Sequence, residues 1–198
     1  VMVKNLKFIK SNYHDPYMNL ALEQAVLESL VDGDKALLIY ANEPCIVMGR
    51  FQNPWLECEL NLAKEDKVHL VRRQSGGGTV YHDRNNLNFC FLQKDREHQK
   101  VVNNEILISA LQSLGIPAYQ SDRSDLLVDF NGVRKFSGSA FKQKKDRSFH
   151  HGTLLIDSDI SKLNAYLHSK HKHIKTKSTK SVRANVINLK EINKNLNE

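Results

Sequence analysis

A chain of 198 residues can hold one domain with a real core, and its 40% hydrophobic and 26% charged residues describe a globular protein, not a disordered one. No apolar run approaches the roughly 18 residues of a membrane span, and the opening "VMVKNLKFIK" has no apolar h-region. A cytoplasmic protein, or a matured organellar one, with no membrane partner is expected, and its net charge of +7 favours anionic partners without naming them.

"NLKFIK" reads as a first strand. "DPYMNLALEQAVLESL" follows as a helix, with Asp15 as N-cap, Pro16 at the first helical position, and Met18, Ala21, Leu22, Ala25 and Ser29 as its apolar face. "ALLIY" and "CIVMG" are short strands split by the turn Asn42-Glu43-Pro44. "PWLECELNLAKED" predicts one short helix, and "VHLVRR", "TVYHD" and "LNFCFL" predict strands. "KVVNNEILISALQSLG" predicts a helix with Val102, Ile106, Ala110 and Leu114 on its packed side, ended by Gly115 and Pro117. In "DLLVDFNGVRKFSGSAF" the Asn131-Gly132 pair predicts a hairpin with a type I′ turn. "HHGTLLIDSD" adds a strand, and "SDISKLNAYL" a helix capped by Ser158 or Asp159. Strands and helices mix without strict alternation, which predicts an α+β fold on a mixed, largely antiparallel sheet flanked by helices. The cysteines Cys45, Cys58 and Cys90 are odd in number and lack C-x-x-C spacing, so reduced thiols in apolar surroundings are expected.

Two stretches carry chemistry. In "VRRQSGGGTVYHD" three glycines between strands allow either a tight turn or a backbone cradle for an anion, and Arg72 and Arg73 beside them favour the cradle. No Lys-Ser/Thr follows as a P-loop requires, and the spacing is not that of a dinucleotide fingerprint. His82 and Asp83 are open to two readings, as polar core partners or as ligand contacts. In "RKFSGSAF" an extended strand would put Lys135, Ser137 and Ser139 on one face, with side chains small enough for a ligand to approach. No metal motif and no nucleophile elbow occurs. Cations and backbone donors without a nucleophile fit nucleotidyl or phosphoryl activation by charge stabilisation. The late run "HSKHKHIKTKSTKSVR" holds five lysines and three histidines but no aromatic for base stacking, so a solvated loop or a protein-docking loop is expected there, not nucleic-acid binding. No cysteine or carboxylate completes a zinc site with His168, His171 and His173.

These stretches resemble the lipoate–protein ligases of the biotin/lipoate ligase superfamily. "RRQSGGGTVYHD" is similar to that family's R-R-x-S-G-G-G-x-V-x-H-D, and "RKFSGSAFKQKKDRSFHHGTLL" to its K-x-S-G-S-A and H-H-G-T-L-L segments. "YHDPYMNLALEQ", "VMGRFQNPWLE" and "SVRANVINL" resemble three further family segments in the same order, so the likeness runs from Leu6 to Leu189. One departure is His82-Asp83-Arg84-Asn85-Asn86, where the family has H-D-x-G-N; the asparagine there is expected to keep the turn by accepting positive φ.

The resemblance implies activation of lipoate with ATP and Mg²⁺ to lipoyl-adenylate, then transfer to a lysine of an acidic lipoyl carrier domain, such as a 2-oxoacid dehydrogenase E2 subunit or the glycine cleavage H protein. It places the nucleotide at Arg73, Gly78, Thr79, Val80 and Tyr81, with Asp125 beside the adenylate. Lipoate falls at Leu20, Gly77, His82, Ser137, Ala140 and His151, and Lys135 serves both ligands as the catalytic group. Residues 1–189 would form the catalytic domain and 190–198 the start of a C-terminal extension, with any accessory domain absent or carried on another chain. The rival is a lipoyl- or octanoyltransferase without adenylation, whose thioester route needs a cysteine downstream of the lysine; none follows Cys90.

Overall fold

The computed structural model describes residues 5–95, 99–122, 124–171 and 174–196. Its largest sheet is five-stranded and mixed, in the order β1 (Asn5–Lys10), β2 (Asp34–Ala41), β6 (Asn86–Gln93), β11 (Ser148–Leu155), β10 (Ser139–Gln143). Only β1 and β2 run parallel in it. A smaller sheet has β3 (Cys45–Met48) between β4 (His69–Arg72), which is parallel to it, and β5 (Val80–His82), which is antiparallel. The third is antiparallel: β7 (Tyr119–Gln120), β8 (Leu126–Asp129), β9 (Val133–Ser137). The α+β, largely antiparallel architecture read from the sequence is the observed one.

β6 at the sheet centre explains its unbroken apolar run. Phe89 packs into a core with Leu126, Phe136 and Leu154, while the next residue, Cys90, faces Leu27, Leu38 and Phe149 on the other side. Alternation of side chains across a strand feeds both layers. α1 (Pro16–Ser29) covers the second layer, capped by the Asp15 carboxylate that accepts from the N–H groups of Tyr17 and Met18. α4 (Lys100–Ser113) covers the first. A third cluster, around Ile46, Met48, Tyr81 and Tyr166, joins the small sheet to α5 (Ile160–Tyr166), which Asp159 caps.

The packed faces of α1 and α4 differ from those predicted. On α1 the buried residues are Pro16, Asn19, Glu23, Val26 and Leu27, and Met18 remains 47% exposed. On α4 they are Asn103, Asn104 and Leu111, while Ile106 is 50% exposed. Both helices bury polar side chains that find hydrogen bonds, which an apolar stripe does not register: Asn104, for example, donates to Gln120 Oε1.

Three further details depart from expectation. The single helix predicted over residues 54–66 is two, α2 (Pro54–Glu57) and α3 (Leu60–Glu65). The extended run through Lys135 breaks at Gly138, because β9 belongs to the third sheet and β10 to the first. Asn85 is not among the residues with positive φ; Asp83 Oδ1 accepts its N–H at 3.0 Å and closes the turn without help from glycine. The hairpin turn is as predicted in its backbone: Asn131 and Gly132 have φ of 51° and 96°. All three cysteines are free and buried. No helix among the described residues is long and apolar enough to cross a membrane.

Candidate active site

The glycine loop joins β4 to β5 and is folded by the two arginines that precede it. Arg73 is buried and donates from Nε to Ser75 Oγ (3.0 Å), from Nη1 to the Val47 carbonyl (3.1 Å), and from Nη2 to the carbonyls of Gly76 and Gly78 (2.7 and 2.6 Å). Turning those carbonyls onto the guanidinium requires the left-handed backbone at Gly77, where φ is 85°. Arg72 Nη1 gathers the carbonyls of Gly49, Arg50 and Gln52 in the neighbouring loop. The loops touch so closely that a Cβ on Gly49 would sit 2.2 Å from the Gly77 oxygen. Burial holds Arg73 down to about 10, which leaves it a cation near neutral pH. In this structure both arginines are therefore loop builders, and the arginine fork inferred from the sequence grips backbone.

Lys135 reaches across Gly138, where an added Cβ would meet its Nζ at 3.3 Å, and pairs with Asp125 at 2.9 Å. Both side chains are about one-quarter exposed (22% and 28%), so the pair borders open space. The lysine backbone is fixed by the closing segment: its N–H donates to the Asn185 carbonyl and its carbonyl accepts from Ile187.

Two cavities meet at this lysine. The first, about 390 Å³, has Thr79, Val80, Tyr81, Lys135, Ser137 and Leu163 in its wall. The second, about 360 Å³, has Leu20, Val47, Gly77, His82, Ala140 and His151, together with Arg73, Gly78, Asp125 and Lys135. Thr79, Val80, Lys135, Gly138, Thr153 and Ser181 border both. The structure thus gathers the nucleotide and lipoate residues implied by the resemblance around two adjoining spaces, while Arg72 and Asp83 border neither. Its division differs at four positions: Ser137 faces the first space, whereas Arg73, Gly78 and Asp125 face the second.

The two histidines are set by buried partners. His151 Nδ1 lies 2.9 Å from the Glu23 carboxylate and its Nε2 lies 2.7 Å from Ser75 Oγ, and Glu23 also accepts from the Tyr40 hydroxyl. His82 Nδ1 lies 3.0 Å from Asn42 Nδ2. Burial, with Arg73 and His151 nearby, pushes His82 down to about 3, so its ring is neutral under ordinary conditions.

The sequence reading quoted the segments that hold Gly49, Gln52, Glu57 and Ser181 but gave these residues no role. Ser181 Oγ accepts from the Thr79 N–H and from Gln52 Nε2, both at 2.9 Å, while its own N–H donates to the Glu57 carboxylate. This strap fixes the end of the basic run over both cavities. Nothing local in the sequence marks a serine for a partner 102 positions away. Lys172 and His173 lie outside the described residues. Among the described residues, the only cluster of three side chains able to hold a metal is the buried set Glu23, Cys90 and His151.

The site is thus two adjoining cavities that meet at one lysine beside a glycine loop, and the comparisons give its family. The chain belongs to the Lipoyl protein ligase A/B catalytic domain family, which it matches over residues 15–197. It is 44% identical over 196 residues to a lipoate-protein ligase A from Bdellovibrio bacteriovorus, covering 98% of this chain and 58% of that one. Among solved structures it resembles P. falciparum LipL1 in complex with lipoate, with a TM-score of 0.85 and 34% identity over 98% of this chain and 58% of that one. It also resembles a lipoate-protein ligase A bound with ATP, with a TM-score of 0.73 and 26% identity over 85% of this chain and 72% of that one. The chain spans little more than half the length of the curated relatives it matches.

Proposed function

We propose that this chain activates lipoate with ATP and passes the lipoyl group to a lysine of a lipoyl carrier domain. The observation that carries the reading is the pair of cavities with Lys135 in their common wall. Lipoate occupies the second, with its tail against Leu20, Val47, Ala140 and His151 and its carboxylate toward Lys135. The nucleotide occupies the first, beside Thr79, Val80 and Tyr81, with its α-phosphate at the junction. A carboxylate oxygen attacks the α-phosphorus, the bond to the β-phosphate breaks, and pyrophosphate leaves. The ammonium of Lys135 offsets the negative charge that gathers on both reacting groups. In the second step a carrier amine attacks the lipoyl carbonyl, AMP departs with the bonding electrons, and the amine loses a proton.

Mg²⁺ enters as part of the MgATP substrate, held chiefly by phosphate oxygens. Asp125 and Glu57 are the carboxylates bordering the second and first cavities. Arg73 acts indirectly, by shaping the glycine loop, whose Gly77 and Gly78 border the second cavity and whose Thr79 borders both.

A thioester route has little support. Burial pushes the thiol of Cys58 up to about 12 and those of Cys45 and Cys90 well above their usual range, so none is a ready thiolate. The deciding measurement is pyrophosphate release from ATP with and without lipoate. Release that depends on lipoate is expected; release from neither mixture, alongside acyl transfer from a preformed acyl carrier, would overturn the adenylation step.

A further inference from the structure

The first cavity is crossed by the segment that closes the basic run, and Ser181, Val182, Arg183, Ala184 and Val186 border it. That segment is fastened at both ends. At one end Ser181 Oγ accepts from the Thr79 N–H at 2.9 Å, and the Ser181 N–H donates to the Glu57 carboxylate at 3.2 Å. At the other, the Asn185 carbonyl accepts from the Lys135 N–H at 2.8 Å and the Ile187 N–H donates to the Lys135 carbonyl at 3.0 Å. Arg183 stands between the two fastenings, its backbone held in register with Lys135.

Charge in that wall is unevenly used. Lys135 is matched by Asp125, and Glu57, the only carboxylate among the described residues of the wall, is taken by the Ser181 N–H. Arg183 has no carboxylate partner among the described residues. Its Nη2 lies 3.2 Å from His168 Nδ1, and because an arginine can only donate, that nitrogen accepts as part of a neutral ring. The positive charge is left unmatched, and a planar guanidinium fork suits phosphate oxygens.

The direction of attack says which phosphates it would meet. A carboxylate oxygen entering from the second cavity, the α-phosphorus at the junction and the departing oxygen lie roughly in line. Pyrophosphate therefore leaves on the side of the first cavity. Among the described lysines and arginines that border either space, Arg183 alone borders only the first. We propose that Arg183 binds the β- and γ-phosphates of ATP and steadies pyrophosphate as it departs, while Lys135 serves the carboxylate and the α-phosphate. The inference rests on the reading that the first cavity takes the nucleotide.

Direct binding of ATP, AMP and inorganic pyrophosphate, each with Mg²⁺, to the parent and to Arg183→Gln tests it. The side chain is exposed, so the variant should fold. ATP and pyrophosphate should bind it roughly 10-fold more weakly, and AMP, which lacks the outer phosphates, should stay within about 2-fold of the parent. Arg183→Lys keeps the charge but loses the fork, and should fall between. Lipoate-dependent pyrophosphate release should slow at least about 10-fold in Arg183→Gln, yet a sulfamoyl mimic of lipoyl-adenylate should bind as before. Unchanged ATP affinity in a folded variant overturns the proposal. So does an equal loss for AMP, which would put the arginine on the α-phosphate, on the base or in the fold. A parent that binds neither ATP nor AMP overturns the cavity assignment itself, and the inference goes with it.

Discussion

Lys135 stands between two requirements. Its ammonium must be available to developing negative charge, yet in this structure it is matched by Asp125 at 2.9 Å. A partly exposed pair of this kind contributes little to stability, so Lys135→Ala should leave the thermal midpoint nearly unchanged. Lipoyl-adenylate formation should fall by at least about 100-fold, the order seen when a single charge-stabilising donor is deleted; near-normal adenylate formation would remove the lysine from the mechanism. His82 yields a prediction in pH. Its folded value, about 3, lies below the unfolded 6.5, so the unfolded chain binds the extra proton between those limits. Stability from this residue is therefore complete above pH 6.5 and declines as pH falls toward 3. Acid titration should show His82→Phe losing less stability than the parent over that window. The lysine and both histidines were legible from the sequence because the motifs carry them as residue types in order. What Arg73 does was not, since its partners Val47, Ser75, Gly76 and Gly78 are set by folding.

At the scale of elements, the strands were the easier reading. β6 carries the apolar run Phe89–Leu92, which feeds both layers, and the Asn131-Gly132 turn favours its hairpin by backbone preference. α1 was located correctly, its cap at Asp15 included, but its buried face was not. Asn19 and Glu23 are buried because each is satisfied by specific partners, and hydropathy cannot anticipate partners on other strands. The corrected face is testable by unfolding in denaturant. Leu27→Ala, at a fully buried position, should cost about 2–5 kcal/mol. Met18→Ser, on the face first expected to pack, should stay within about 0.5 kcal/mol. The reverse order of losses would restore the apolar-stripe reading.

Across the whole molecule, charge and shape act on different steps. Near its end the basic run is held by Ser181, tied to Gln52, Glu57 and Thr79, while Lys175 and Lys177 before it are exposed. If the proposed carrier is acidic, exposed cations here would accelerate encounter with it, an effect that fades as the Debye length shortens to roughly 8 Å. Replacing Lys175 and Lys177 with glutamine should slow lipoyl transfer most at low salt and change adenylate formation far less. Equal transfer rates for variant and parent across a salt series would leave the run as a solvated loop. The common wall of the two cavities has a further outcome. On the proposed reading an acyl-adenylate would act as a chelate: one molecule would fill both spaces, and release of either end would leave the other in place. A sulfamoyl mimic of that compound should bind roughly 10²–10⁴-fold more tightly than lipoate or AMP alone. On that reading the same retention would keep the reactive anhydride from escaping to water until a carrier docks.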